Sequence, residues 1–243
     1  MRHIKKLILI ILFFVIIISL YFSFFNTTEM FENELQIDYY VISLKGREDR
    51  EQNIKNQQQK IKKHINVFEA INGDEIDMNN VSNQIVADTF KEDSKHRKRE
   101  IGCFLSHYYI LKLIKSNASP NGYTVIFEDD FDIIVEDFHE KLKNTLESMS
   151  QYEFDMLYIE TLSNNMGEPL IKDVCNIDLN KDFYGTQAYI VKNSSIDKLL
   201  ESTWIIDTPI DHKYTHAIRT NKIKAYTFCP FLTKSINTES TLF

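Results

Sequence analysis

This sequence predicts an α/β domain: a Rossmann-like, mostly parallel sheet sandwiched by helices, with one transmembrane helix before it. Three observations carry the prediction. Short β-rich runs alternate with longer polar or amphipathic stretches from residue 37 onward. Some of those runs are apolar without in–out alternation, the pattern of strands covered on both faces. A length of 243 residues with 43% hydrophobic side chains is enough for one substantial core.

The elements follow in chain order. From Leu7 to Phe25, LILIILFFVIIISLYFSFF has no charge, Gly or Pro over nineteen residues. At about 1.5 Å per residue this spans a bilayer core of about 30 Å. Arg2, Lys5 and Lys6 precede it, and Glu29, Glu32 and Glu34 follow. The positive-inside rule then keeps the N-terminus cytoplasmic and puts the rest in a lumenal or extracytoplasmic space. A cleaved signal peptide fits less well, because the apolar run exceeds an h-region and no small-x-small site follows. Residues 1–25 are thus a tip and membrane anchor, 26–36 a polar linker and 37–243 the folded domain.

Within that domain, Asp38–Leu44 (DYYVISL) reads as a buried strand, and polar Arg47–Lys63 as an exposed helix. Ile65–Ile71 is a second strand, closed by the turn residues NGDE. A helix over Glu100–Ser116, a strand over Tyr123–Phe127 and a helix over Ile133–Met149 come next. Strands at Phe154–Glu160 and Phe183–Val191, a helix at Ser194–Thr203 and a strand at Ile223–Phe228 complete the pattern.

A net charge of −7 gives no reason to expect a nucleic-acid partner. The exception is the basic knot Lys95, His96, Arg97, Lys98 and Arg99, read as a solvated face before any anion contact. Cys103, Cys175 and Cys229 show no metal-ligand spacing. Cys103 reads as a small buried hydrophobe, while Cys175 and Cys229 could pair in an oxidising compartment. Asn80, Asn117 and Asn193 head glycosylation sequons that matter only there.

The strand Tyr123–Phe127 runs straight into Glu128, Asp129 and Asp130. Adjacent carboxylates raise one another's pKa unless water or a cation absorbs the charge. In open α/β sheets ligands sit beyond the carboxyl ends of strands, where such oxygens suit Mg²⁺ or Mn²⁺ carrying a diphosphate. The plainer reading is that Asp130 or Asp132 caps the following helix and the others are solvated.

Three further segments tip that balance. YYVISLKGREDR (Tyr39–Arg50), REIGCFLSHYYIL (Arg99–Leu111) and VIFEDD (Val125–Asp130) together resemble glycosyltransferase family 25, which includes lipopolysaccharide-type and collagen β-galactosyltransferases. Glu100, Ile101, Gly102, Cys103, Ser106 and His107 are all in register with that family's helix motif, whereas Ser43 stands where the family has Asn. YGTQAYIVKNSSIDKLL (Tyr184–Leu200) and TPID (Thr208–Asp211) are looser matches. The resemblance implies a GT-A-like fold and an inverting transfer of a hexose, galactose or glucose. The donor would be a nucleotide sugar, most often a UDP-sugar, and the acceptor a glycan, lipid-linked glycan or hydroxylysine-type group.

On that reading Asp130, with Glu128, holds the metal, and Asp129 or Glu128 the ribose or a metal-bound water. Arg47 and Arg50 reach the nucleotide by guanidinium forks. Gly102 brings a helix start and its free amides close to the ligand, with Ser106 and His107 beside it. Gly185, Thr186 and Gln187 enter a strand between donor and acceptor. Asp211 and Glu160 are the candidate general bases, and His212 and His216 possible extra contacts. Two rival readings remain at this stage: a non-catalytic membrane-tethered relative, which the Ser43 departure would permit, and another metal–phosphate enzyme, against which stands the absence of a phosphate-cradling glycine loop.

Overall fold

Among the described residues, eight strands form the central sheet, in the order Asn66–Glu69, Ile37–Ser43, Tyr123–Glu128, Ala188–Lys192, Met156–Glu160, Ala225–Phe228, Val174–Ile177, Met166–Ile171. The structure is a computed structural model that describes residues 13–21, 35–79, 85–90, 94–163 and 165–236. The chain divides into residues 1–35 and Gln36–Phe243. In the first unit, residues 13–21 form helix α1, and the remainder of the expected anchor Leu7–Phe25 lies outside the described residues. Among the described residues no helix is long and apolar enough to cross a membrane.

The second unit contains β1 (Ile37–Ser43), α2 (Glu48–Ile61), β2 (Asn66–Glu69), α3 (Lys95–Asn117), β3 (Tyr123–Glu128), β4 (Phe131–Ile133) and α4 (Phe138–Ser148). It continues with β5 (Met156–Glu160), β6 (Met166–Ile171), β7 (Val174–Ile177), β8 (Ala188–Lys192), α5 (Ile196–Ser202), α6 (Ile210–Arg219), β9 (Ala225–Phe228) and β10 (Thr233–Ser235). β2, β1, β3, β5, β9 and β6 point one way, while β8 and β7 run against them. The largely parallel sheet is therefore interrupted by reversed strands at two places.

Both faces of the sheet are covered, which is why its strands lack alternation. Ile126 of β3 packs with Ile110 and Ile114 of α3, Leu199 of α5 and Tyr214 of α6. Phe127, on the opposite face, stacks on Phe131 of β4 at 4.0 Å between ring centroids and meets Phe138 of α4.

Element boundaries differ from the sequence reading where side chains act over distance. The helix expected at Glu100 starts at Lys95, with Ser94 Oγ accepting from Arg97 N–H. The basic knot is thus the first turns of α3, and its charges are paired locally: Arg99 forks onto Asp74, and Arg97 meets Glu100 and the Phe90 ring. The helix expected at Ile133 starts at Phe138, because Phe131–Ile133 pairs antiparallel with Thr233–Ser235. Neither Asp130 nor Asp132 caps it; Asp137 occupies that position in the left-handed region.

Cys175 of β7 and Cys229, just after β9, form a disulfide closing a loop of 54 residues. In the chain-entropy account such a loop contributes about 4 kcal/mol by restricting the unfolded chain. Asn193 is buried, donates to Ser119 O and accepts from Thr124 Oγ1, so that sequon is not open to modification. The Asn80 sequon lies outside the described residues.

Candidate active site

β1, β3 and β5 end at one edge of the sheet, and β8 begins there. Their termini collect Ser43, Glu128, Asp129, Asp130, Glu160 and the Gly185–Gln187 segment. The polar inner face of α2 holds the acidic turn in place. Arg50, Asn53, Gln57 and Lys60 recur at helical spacing. Asn53 donates to the Asp129 and Phe131 carbonyls, Gln57 accepts from Ile133 N–H, and Lys60 donates to Asp132. The helix that reads as merely exposed is a polar clamp.

Arg50 is 3% exposed and lies inside the acidic cluster. Its Nε is 3.6 Å from Asp129 Oδ1, and its Nη1 4.0 Å from Asp130 Oδ2. Nε and Nη2 make no hydrogen bond, so its attraction for the cluster is Coulombic. Arg47 forks onto Asp49 instead and lines the adjoining cleft. The two arginines expected to act alike therefore have different partners. Ser43, the departure from the family pattern, donates to Asp129 Oδ2 at 2.7 Å and so helps fix that carboxylate.

The carboxylates are driven apart in character. Burial pushes the Asp129 and Asp130 carboxyls above the usual range, and the neighbouring Glu128 charge adds to both. Burial also raises Glu160, although Thr233 Oγ1 and Ser235 N–H donate to its two oxygens. For Glu128 burial works upward as well, yet His107, Thr186 and Arg50 together hold it below the ordinary value. Thr186 Oγ1 donates to Glu128 Oε1 at 2.6 Å, and His107 Nε2 is 3.5 Å from that oxygen. Ser235 Oγ donates to Asp130 Oδ2, while Asp130 Oδ1 is buried without a partner. A buried anionic oxygen with no donor beside clustered carboxylates fits a hard divalent cation. Mg²⁺ or Mn²⁺ would be held there by Asp130.

Gly185 adopts φ +103°, a region that favours glycine, and its N–H donates to Asp211 Oδ2. Asp211 also accepts from His212 N–H at the first turn of α6. His212 stacks on Tyr184 at 4.3 Å between ring centroids. His216, further along the same helix, is exposed, and its carbonyl accepts from Thr220. Gln187 Oε1 is buried and unpartnered, and its carbonyl accepts from Glu128 N–H.

The reading of Gly102 as a helix start is corrected by the position of α3. Gly102 lies well inside the helix, so it offers no free amides to an anion. Its role is close approach: a Cβ there would sit 2.7 Å from Ile71 O and 2.8 Å from Gly73 N. Ser106 completes this contact, accepting from Ile71 N–H and donating to Gly102 O. Gly102→Ala should therefore displace the Ile71–Asp74 loop against rigid backbone, lowering stability by about 1–3 kcal/mol. Thermal melting measures that cost, and donor KM should rise with it because the loop lines the cleft.

That cleft measures about 820 Å³, counting space open to solvent, and runs from Arg47 and the Ile71–Asp74 loop to His107, Glu128 and Asp129. Ser235 and Thr233 from β10 were not foreseen in the site, nor was the clamp on α2. A carboxylate-lined cleft at the carboxyl edge of an α/β sheet defines a protein built to handle a polar, charged ligand there. The family model described as "Glycosyltransferase family 25 (LPS biosynthesis protein)" matches residues 36–214, and the chain belongs to that family.

Among curated relatives, the chain is 26% identical over 201 residues to procollagen galactosyltransferase 1-A of Xenopus laevis, covering 78% of this chain and 32% of that protein. It is 24% identical over 172 residues to procollagen galactosyltransferase 2 of Homo sapiens, covering 67% of this chain and 27% of that protein. The chain thus spans about a third of the length of the relatives it matches.

Proposed function

We propose that the chain transfers a hexose, galactose before glucose, from a UDP-sugar to an acceptor hydroxyl with inversion, assisted by Mn²⁺ or Mg²⁺. The observation that carries this reading is the carboxylate cluster at the end of β3, where Asp130 Oδ1 is buried and unpartnered and Glu128 and Asp129 line the adjoining cleft. The galactosyl preference rests on the names of the relatives, procollagen galactosyltransferases; the family resemblance extends the acceptor to a glycan, lipid-linked glycan or hydroxylysine-type group.

When bound, the cation supplies charge stabilisation for the departing diphosphate. The rest falls to the chain's own groups. Arg47 and the Ile71–Asp74 loop line the cleft for the nucleotide, and Arg50 with Ser43 holds Asp129 in a fixed orientation. Asp211 is the preferred base because it is partly exposed, whereas Glu160 is buried beneath β10. Asp211 would take the proton from the acceptor hydroxyl.

We also place the domain in an extracytoplasmic space behind an anchor at residues 7–25, a reading supported by the apolar run, the flanking charges and the Cys175–Cys229 disulfide. The test of function is donor consumption by the full chain with Mn²⁺, against a panel of nucleotide sugars. UDP-galactose should be consumed fastest, with slow hydrolysis in the absence of acceptor. Consumption of none of them, together with no thermal shift by UDP, would overturn the proposal.

A further inference from the structure

The Cys103 thiol, read from the sequence as a packing group, faces two other metal-ligating atoms. Cys103 Sγ, His107 Nε2 and a Glu128 carboxylate oxygen all lie within 4.8 Å of one another. Cys103 and His107 are four residues apart on α3 and so share one helix face, while Glu128 arrives from the end of β3. His107 is 1% exposed, and its Nε2 is buried without a hydrogen-bond partner. Its nearest acidic neighbour, Glu128 Oε1 at 3.5 Å, is long for a hydrogen bond, and a cation between the two would satisfy both.

We propose that Cys103, His107 and Glu128 form a binding site for a borderline-soft divalent cation of the Zn²⁺ class, separate from the hard-cation position at Asp130. The three ligand atoms are gathered within 4.8 Å, and a cation would draw the sulfur to tetrahedral spacing. With Zn–N near 2.0 Å and Zn–S near 2.3 Å, tetrahedral ligand atoms stand about 3.3–3.8 Å apart. The His107 Nε2 to Glu128 Oε1 separation is 3.5 Å.

The outer partners are also in place. His107 Nδ1 is 2.8 Å from Tyr189 Oη, which fixes the ring, and Thr186 Oγ1 donates to Glu128. Such orienting bonds accompany ligating imidazoles and carboxylates. On ligation the thiol gives its proton to solvent and the sulfur binds as thiolate. Three protein ligands leave a fourth position, which opens on the cleft because all three residues line it. That is the arrangement of a site that exchanges a small ligand rather than a closed structural one.

The ligand set distinguishes the two positions. Asp130 and its neighbours offer only oxygen, which suits Mg²⁺ or Mn²⁺, whereas sulfur and imidazole select Zn²⁺ or Co²⁺. The test titrates the metal-free full chain with Co²⁺ and records the near-ultraviolet thiolate-to-cobalt charge-transfer band. A band saturating at one cobalt per chain and displaced by Zn²⁺ is expected. Cys103→Ser should abolish it, Tyr189→Phe should weaken cobalt binding about tenfold or more, and Asp130→Asn should leave it intact.

Absence of the band in the unmodified chain overturns the proposal, as does a band that survives Cys103→Ser. Loss of the band in Asp130→Asn, with circular dichroism unchanged, would merge the two positions and overturn their separation. The readout needs no sugar donor, so its outcome is independent of the proposed transfer reaction.

Discussion

Arg50→Met should destabilise the domain by about 3–5 kcal/mol at neutral pH, the cost of stripping a buried charge cluster of its counter-ion. Arg50 is 3% exposed and faces Asp129, Asp130 and Asp49 within 4.0 Å. It is one of the groups that hold Glu128 ionised and oppose the upward push of burial on Asp129 and Asp130.

The pH dependence has a definite sign. Asp129 and Asp130 have folded pKa values above their unfolded ones, so their contribution is full below the unfolded carboxylate range and is lost as pH rises through the folded values. Removing Arg50 raises those values further. The deficit against the parent protein should therefore grow as pH rises through the carboxylate range and shrink in mild acid. Glu128 has a lowered folded pKa, so its contribution is present above the unfolded value and lost as pH falls through the folded one; Arg50→Met weakens it, and this part of the deficit also grows with pH. Urea melts at neutral and mildly acidic pH, with and without Mn²⁺, measure both effects. A deficit equal at both pH values and untouched by Mn²⁺ would mean that Arg50 acts by packing alone.

How much of this was legible in the sequence depends on whether the cause is local. The strand Tyr123–Glu128 and its carboxylates were readable because a buried β-run ending in three acids has few structural uses. The packing of α3 was readable in type but not in role. Gly102 and Ser106 stood out in the motif, yet their purpose, seating the Ile71–Asp74 loop on the helix, needs a contact about thirty residues away.

The β4–β10 pair was not readable. Thr233–Ser235 is three residues long and lies about a hundred residues from its partner, and nothing in its composition signals that it closes over Glu160 and Asp130. It also falls outside the matched span 36–214. The β6–β7 hairpin is hard to read from sequence, since Gly167 and Pro169 disfavour a strand except at a sheet edge, which is where β6 lies. Cys103 reads from the sequence as a packing group and His107 as a contact beside the ligand, and their meeting with Glu128 was not readable because that residue comes from another element.

Asp130→Asn should lower turnover by about 10²-fold or more while leaving the melting temperature unchanged or higher. The first half follows from the oxygen it removes. Asp130 Oδ1 is buried with no donor, and a metal position that neutralises a departing diphosphate contributes several kcal/mol to the transition state. The second half follows from burial and from Glu128, which both raise the Asp130 carboxyl and make its ionised form costly in the folded state. Asparagine keeps an acceptor for the Ser235 hydroxyl and discards the charge. A group retained at a cost to the fold is one whose use lies in function. Asp132→Asn is the matched control: Asp132 is paired with Lys60 on the α2 clamp, its carboxyl is held below the ordinary range, and its loss should lower stability slightly and leave turnover near the parent value. Mn²⁺-dependent donor consumption and thermal melting, run on both variants, separate the two roles. Turnover in Asp130→Asn within a few-fold of the parent would remove Asp130 from the metal position, and a large fall in its melting temperature would make its role structural.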